Sequence, residues 1–489
     1  MRSLKVFRCL LLTLLTLVLS AQVVLADLSA DIRQILSDKV LTRAVSGIQV
    51  VKLSDKSDGC QILYERNSHT PLATASNMKV ITTSSALHTL TPDFRFQTVL
   101  LKQGNDLVIW GDGDPTLGDA ELMDKYNVPQ TTVYDDWIAQ INKLGITRCE
   151  NILVDDSIFD TEFLHPRWGK HQFERFGSEL GGLNFNTNIL DFDVQARKNG
   201  PVTWVTRPAT NYVHITSNTC LPGRNRVILA RSANSNDVAL SGSVENRCAV
   251  GVTIHDPSLF AATVFADLLK SRRVAVTGEV KRDRTIRQRY AATTDTNARN
   301  QQWQVVFISK TPIEAVVNHC NKKSINLYAE ALCKRQAVAA TGTSGTWTSG
   351  TAVTANFLKQ LGVPEAEFQL DDGSGLSREN YITANAMVRV LIHDYYSPAK
   401  GVFLKSLPIG GVDGTLGKRF DPSLHGRVFA KTGFIANVSA LSGYIHARSG
   451  DWFAFSILMN DIPDFSNGLV KPLQDRIVKA IDNASVAEE

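Results

Sequence analysis

The two ends of this 489-residue chain each carry strand patterns that neither end can use alone, and this constrains the fold more than any other feature. Near the N-terminus, residues 47–53 (GIQVVKL) and 60–66 (CQILYER) read as two strands joined by the polar turn Ser57-Asp58-Gly59. Near the C-terminus, residues 427–434, 438–447 and 452–459 read as a three-stranded meander. A two-stranded hairpin is marginal in water, and an exposed three-stranded meander leaves open edges. The economical solution joins both ends in one antiparallel sheet. Helical patterns at residues 27–45, around Ser76, at 383–395 and at 467–482 supply its cover. The expected fold class is therefore α+β, an antiparallel sheet flanked by helices.

The middle of the chain must then be an insertion. From about Pro92 to Ala292 short strand-like runs alternate with turn residues, including FQTVLLK, DLVIWG, NILVDDS and GVTIHD. One clear helix, starting at Pro257, interrupts them. The expected division is a discontinuous domain of residues 27–92 and 293–489 around a large β-rich insertion of residues 93–292, read as two small modules. Helical patterning returns at 311–337, and Gly342 to Gly350 reads as a Gly/Thr/Ser loop.

Residues 1–26 have the pattern of a secretory signal peptide. Arg2, Lys5 and Arg8 form a basic start, an apolar run follows to about Leu19, and Val24-Leu25-Ala26 places small residues at a cleavage site. An uncleaved membrane helix is the competing reading. No later run is apolar enough to span a bilayer, so no transmembrane anchor is expected after cleavage, and the expected location is periplasmic or otherwise exported. The formal charge of +4 becomes 4 − 3 = +1 without the three basic residues of that segment. A nearly neutral chain has no electrostatic reason to bind nucleic acid.

Six cysteines follow the first: Cys60, Cys149, Cys220, Cys248, Cys320 and Cys333. An oxidising compartment permits disulfides. Cys220 and Cys248 flank strand-like runs in the insertion and could pair, although the sequence does not fix the connectivity. Cys320 and Cys333 fall in one helical stretch and would lie about 20 Å apart on a straight helix, too far to bridge. There is no C-x-x-C and no H-E-x-x-H, so no metal and no cofactor are expected.

Three short motifs occur in order: Ser76-Asn77-Met78-Lys79 (S-x-x-K), Ser324-Ile325-Asn326 (S-x-N) and Lys431-Thr432-Gly433 (K-T-G). The first two are weak alone, and the chain contains decoys: Ser397-Pro398-Ala399-Lys400 and Ser232-Ala233-Asn234. Order and context select the first set. Ser76 opens an apolar helix, with Met78, Val80, Ile81, Ala86, Leu87 and Leu90 toward a core. Ser324 lies between helical stretches, and Lys431 lies on a strand.

The chemistry of the set is coherent. A serine hydroxyl needs a nearby base, and residues three apart share a helix face, so Lys79 lies beside Ser76. A lysine acts as a base only when burial or another cation lowers its proton affinity, and Lys431 can be that cation. The helix start at Ser76 and the backbone N–H of Phe434 can hold a developing oxyanion. Ser324 can relay a proton to the leaving amine, and Asn326 can bind a substrate amide. A lone serine at a helix start is equally a plain N-cap, and lysines are ordinarily solvated. It is the joint pattern that disfavours these readings. A Ser-His-Asp hydrolase would need G-x-S-x-G, which is absent. Gly111-Asp112-Gly113 is better explained as a hairpin turn than as a nucleotide loop.

With these motifs the chain resembles the low-molecular-mass class C penicillin-binding proteins, the D-alanyl-D-alanine carboxypeptidase/endopeptidase family. The resemblance extends to ATASNMKVITTSSAL, to NKKSINLYAEAL, to Asp372–Arg378 (DGSGLSR), to Gly411–Leu416 (GVDGTL), and, in the insertion, to Gly113–Leu117 and Val154–Ser157. It implies a penicillin-binding transpeptidase-like domain, with peptidoglycan stem peptides as substrate and β-lactam antibiotics as inhibitors. It implies Ser76 as the acylated nucleophile, Lys79 as its base, and Ser324 and Lys431 as the rest of the proton network. Asn326, Thr432, Gly433 and Phe434 line the substrate site, with Thr432 and Lys431 on the terminal carboxylate. Asp155 is the nearest match to an acidic residue thought to meet the far end of the stem peptide, and a strand-end turn carboxylate explains it equally well. Relatives often carry a small or hydroxylated residue where this chain has Phe434. Two rival functions stand beside this one: a β-lactamase with fast deacylation, which the size of the insertion disfavours, and a non-catalytic wall-binding protein.

Overall fold

The computed structural model describes residues 28–486 apart from 198, 199 and 465. The signal-peptide segment, residues 1–26, lies outside the described residues. The chain divides into two compact units: 1–88 with 320–324 and 354–489, and 89–319 with 325–353.

In the first unit the two chain ends do form one sheet. Its strands run in the order Gln61–Arg66, Val45–Lys52, Trp452–Asn460, Val438–His446, Val428–Ile435, antiparallel throughout. A helix at 28–36 and the long helix Asn467–Val486 cover one face. The core there joins Ile32, Ile48, Leu441, Phe455, Ile477 and Ile481, all buried. Burying such side chains is the main source of stability, about 1.5–3 kcal/mol each.

The opposite face carries a polar row. Lys431 pairs with Ser442, Ser442 with Ser456 and Ser456 with Gln49, so the four share one line across the sheet. All are buried. Ser442 and Ser456 satisfy one another at 2.9 Å. The helix Ala384–Tyr396 packs on this sheet, where Tyr444 donates to Leu391 O at 2.6 Å.

The second unit holds a five-stranded mixed sheet in the order Val280–Arg282, Ile152–Asp155, Asp106–Trp110, Arg95–Gln103, Gln304–Pro312. The first three strands are parallel to one another and the rest antiparallel. Two smaller sheets are built around Ile189–Gln195 and Asp237–Val244. One apolar core, including Trp137, Phe185, Phe192, Leu240 and Phe265, runs beneath all three.

The structure departs from expectation in several places. Residues 293–319 and 325–353 cluster with the middle of the chain, because strand Gln304–Pro312 pairs with Arg95–Gln103. Helix Asn326–Thr341 likewise places Leu327 and Ala331 against Ile158, Phe159 and Leu180. The second unit contains helices Ala120–Tyr126, Thr132–Lys143, Ile286–Ala292 and Thr296–Gln302 besides Pro257–Ser271. Three of them are only seven residues long, too short to show a helical period, and Thr132–Lys143 carries aromatic and β-branched residues common in strands. The expected helical stretch 311–337 is two helices, Ile313–Lys323 and Asn326–Thr341, broken at Ser324 and Ile325. Helix Trp347–Gln360 begins inside the segment read as a loop.

Cys220 and Cys248 are free thiols and not a disulfide, as are the other four described cysteines. Cys248 lies in a strand opposite Val194, whereas Cys220 precedes a strand of a different sheet. They are nonetheless neighbours: burial first and the nearby Cys248 second raise the Cys220 thiol. Among the described residues no helix is long and apolar enough to cross a membrane.

Candidate active site

The helix Met78–Leu90 begins through a 3-10 turn at Ala75–Asn77. Its expected core residues are buried, but so are Lys79, Thr82, Thr83, Ser84 and Ser85. A helix buried on all sides must satisfy its polar groups internally. Thr83 Oγ1 donates to Lys79 O at 2.6 Å, Thr82 Oγ1 to Gly373 O at 2.6 Å, and Ser84 Oγ to Asp394 at 2.9 Å.

Lys79 is fully buried. Its Nζ lies 3.0 Å from Ser76 Oγ and donates to Ser374 O at 2.9 Å. That carbonyl is presented by the Asp372–Arg378 loop, which Asp372 holds rigid. Asp372 accepts from the N–H groups of Ser374 (3.1 Å), Gly375 (2.6 Å) and Ser377 (2.6 Å) and from Asn380 Nδ2 (2.8 Å). Gly375 has φ +82°, and a Cβ there would overlap Ala75 O beside the serine. Only glycine fits such a place.

Lys431 is also fully buried, and its Nζ donates to Ser324 Oγ at 2.8 Å and to Thr432 O at 2.8 Å. Burial first, and the charge of Lys79 second, hold its ammonium group well below the usual lysine range, with the Cys320 thiol opposing the shift. Ser324 reaches it because its backbone is left-handed, φ +59°, at the break between two helices. This conformation is unusual for a residue with a Cβ. Asn77 Nδ2 donates to Lys431 O at 2.9 Å, which ties the serine turn to the lysine strand. Gly433 faces that turn: a Cβ there would meet Thr74 O at 2.5 Å and Asn77 N at 3.0 Å. Thr432 Oγ1 donates to Thr415 Oγ1 at 2.9 Å, and the Phe434 side chain is exposed.

Thus Ser76, Lys79, Ser324, Lys431, Thr432 and Gly433 are brought together in the first unit. Asn326 stands at the head of its helix in the second unit, with Nδ2 donating to Phe176 O at 2.8 Å. Asp155 is fully buried and accepts from Ser157 N at 2.9 Å and Arg287 N at 2.5 Å. Its carboxylate holds the backbone of Ser157 and Arg287, as the strand-end turn reading expects. The decoy is also resolved. Ser397 Oγ donates to Asp394 O and accepts from Ala399 N, while Lys400 Nζ sits over the Tyr395 ring, 3.5 Å from its centroid.

Sequence reasoning assigned no role to Ser374, Asp372 or Thr415. The two loops that carry them were visible as family-like segments, but their backbone contacts were not.

An arrangement of one serine against a buried lysine, backed by a second serine–lysine pair, can activate a hydroxyl and pass its proton onward. Comparison with known proteins points the same way. The D-alanyl-D-alanine carboxypeptidase of Actinomadura sp. (strain R39) is 29% identical over 469 residues, covering 89% of this chain and 81% of the relative. The D-alanyl-D-alanine carboxypeptidase DacB of Haemophilus influenzae is 25% identical, covering 82% of this chain and 83% of the relative. The crystal structure of penicillin binding protein 4 (dacB) from Haemophilus influenzae superimposes with a TM-score of 0.74 at 21% identity, covering 92% of this chain and 99% of that one. The fold of the class C penicillin-binding proteins is shared, and the match to the family extends over residues 28–483. The chain belongs to the D-Ala-D-Ala carboxypeptidase 3 (S13) family.

Proposed function

We propose that the chain is a serine-type D-alanyl-D-alanine carboxypeptidase/endopeptidase that acts on peptidoglycan stem peptides through an acyl-enzyme on Ser76, and that β-lactams acylate the same residue. The observation that carries this reading is the pair of contacts Lys79 Nζ–Ser76 Oγ, 3.0 Å, and Lys431 Nζ–Ser324 Oγ, 2.8 Å.

Ser76 Oγ attacks the carbonyl carbon of the D-alanyl amide while its proton passes to Lys79 Nζ. Lys79 must therefore enter the step without its extra proton. Two buried ammonium groups so close together are costly, which favours one proton on the lysine pair over two. The N–H groups of Ser76 and Phe434 receive the oxyanion. Ala430 donates its N–H away from the sheet, to Pro408 O at 3.0 Å. Phe434, four residues on, has the same strand parity. The C–N bond then breaks, and Ser324 Oγ hands a proton to the departing nitrogen, with Lys431 replacing it. Water attacks the ester and gives up a proton through Ser324 to Lys431, the C–O bond to Ser76 breaks, and Lys79 returns to the serine the proton it took. Asn326 binds the substrate amide in this reading, and Thr432 and Lys431 the terminal carboxylate. The first unit carries the acyl transfer.

We also propose export to the periplasm or beyond. The basic start, apolar run and Val24-Leu25-Ala26 site support it.

Incubation with a penicillin followed by peptide mass mapping tests the chemistry. The adduct is expected on the peptide containing Ser76. An adduct on Ser324 or Ser397, or none, would overturn the assignment.

A further inference from the structure

Thr415 is an exposed threonine on a loop held with unusual firmness. Lys322 Nζ donates to both Asp413 oxygens, at 2.8 and 2.7 Å, and to Leu407 O at 2.7 Å. Asp413 in turn accepts from Ile409 N at 2.9 Å. Gly411 N donates to Leu416 O at 3.0 Å and Gly410 N to Val428 O at 2.9 Å, on the strand that bears Lys431. Leu416 is buried. The residue before it, Thr415, is therefore fixed at both sides, and its hydroxyl stands 2.9 Å from that of Thr432.

The Lys431 strand offers little else for an anion on this face. Side chains of one strand face share a period of two, so Phe434 follows Thr432, and Phe434 has no hydroxyl. Lys322 is two residues from Ser324, so the ion pair that fixes the loop also ties it to the segment carrying the second serine.

Two hydroxyls side by side make a bidentate donor pair for one carboxylate, whose two oxygens only accept. Here the Thr432 hydroxyl donates to the Thr415 oxygen. Each hydroxyl rotates freely enough to turn toward an anion. Hydrogen bonds to a charged acceptor are the stronger kind.

We propose that Thr415 is a substrate-binding residue: its hydroxyl and that of Thr432 together grip the terminal carboxylate of the D-alanyl-D-alanine substrate, and the corresponding carboxylate of a penicillin. This rests on the acyl-enzyme reading above.

Second-order acylation rates with benzylpenicillin and with its methyl ester, followed by mass spectrometry, test it in wild type, Thr415→Val and Thr415→Ser. Valine keeps the shape and removes the donor. Thr415→Val should lower the rate with the free acid about tenfold or more and leave the ester rate unchanged. Thr415→Ser should recover most of the loss. An equal loss on acid and ester means that Thr415 only braces the loop and overturns the proposal, as does no loss on either. A wild-type chain that takes up neither compound overturns the acyl-enzyme reading itself, a result that needs no variant to recognise.

Discussion

Lys79 Nζ meets Ser76 Oγ at 3.0 Å from three residues further along the chain, and it also donates to the carbonyl of Ser374 at 2.9 Å. A neutral amine has two N–H groups and one lone pair. With an N–H committed to a carbonyl that only accepts, the lone pair can be aimed at the serine. The loop around Asp372 thereby orients the lysine as well as burying it.

The lysine pair sets the pH dependence of acylation. Lys431 is held well below its ordinary range by burial and by Lys79, and the acid limb of the rate profile reports the pair rather than either member. Lys431→Ala leaves the pair's single proton to Lys79 alone, with no second ammonium to disfavour it, so Lys79 keeps that proton to higher pH and the acid limb moves upward. Lys79→Ala should slow acylation by about 10²-fold or more, the usual scale for loss of a general base. Rates with a chromogenic cephalosporin from acid to alkaline pH measure both. A near-normal rate in Lys79→Ala, or an acid limb that moves down in Lys431→Ala, contradicts this assignment.

Much of this site was legible because its parts repeat local rules. S-x-x-K on a helix places its ends on one face. The meander at 427–459 shows as three short strand-like runs divided by turns, and its end strand holds Lys431. The convergence of Ser324 on Lys431 was expected from motif order alone, yet it depends on a left-handed backbone at Ser324 that no residue type at that position announces. The contact of Ser374 with Lys79 is made by a backbone carbonyl, which has no side-chain signature. Asp155 could be read as a ligand or as a strand-end turn carboxylate, because both have the same sequence surroundings. The boundary of the second unit was missed because strand Gln304–Pro312 pairs with a partner some two hundred residues earlier. No local pattern encodes such a pairing.

Gly375 tests the loop. Its φ of +82° and the overlap of any Cβ with Ala75 O leave no room for alanine. Gly375→Ala should cost about 1–3 kcal/mol of stability and, by displacing Ala75, slow acylation as well. Thermal unfolding and penicillin acylation on one preparation measure the two effects. Unchanged acylation in a folded Gly375→Ala protein would show that the loop does not position the serine.

Ser324 sets stability against function. Its left-handed backbone costs roughly 1–2 kcal/mol relative to glycine, and its hydroxyl is the partner of Lys431 at 2.8 Å. Ser324→Gly and Ser324→Ala both lose the hydroxyl, but only alanine retains the strain. Both should lose turnover, while the glycine variant melts above the alanine variant. If alanine melts at or above glycine, Ser324 is not strained in the folded chain.

Asp394 gives the clearest prediction of stability against pH. It lies beneath the serine helix, fully buried, with Oδ1 accepting from Ser84 Oγ at 2.9 Å and Oδ2 without a hydrogen-bond partner. Burial lifts its carboxyl well above the ordinary value of 3.8, and the Ser84 bond offsets only part of this. In the unfolded chain the group ionises at the ordinary value. Between that value and the folded one, the native state therefore holds a proton that the unfolded state has lost, and stability falls as pH rises. Each pH unit across that window costs about 1.4 kcal/mol. Asp394→Asn keeps an acceptor for Ser84 and cannot ionise. The variant should match wild type near pH 4 and melt increasingly above it as pH is raised toward neutrality. Other titrating groups affect both proteins alike, so the difference between the two melting curves isolates this carboxyl. A difference that stays constant from acid to neutral pH would mean that Asp394 is not held protonated beneath the helix.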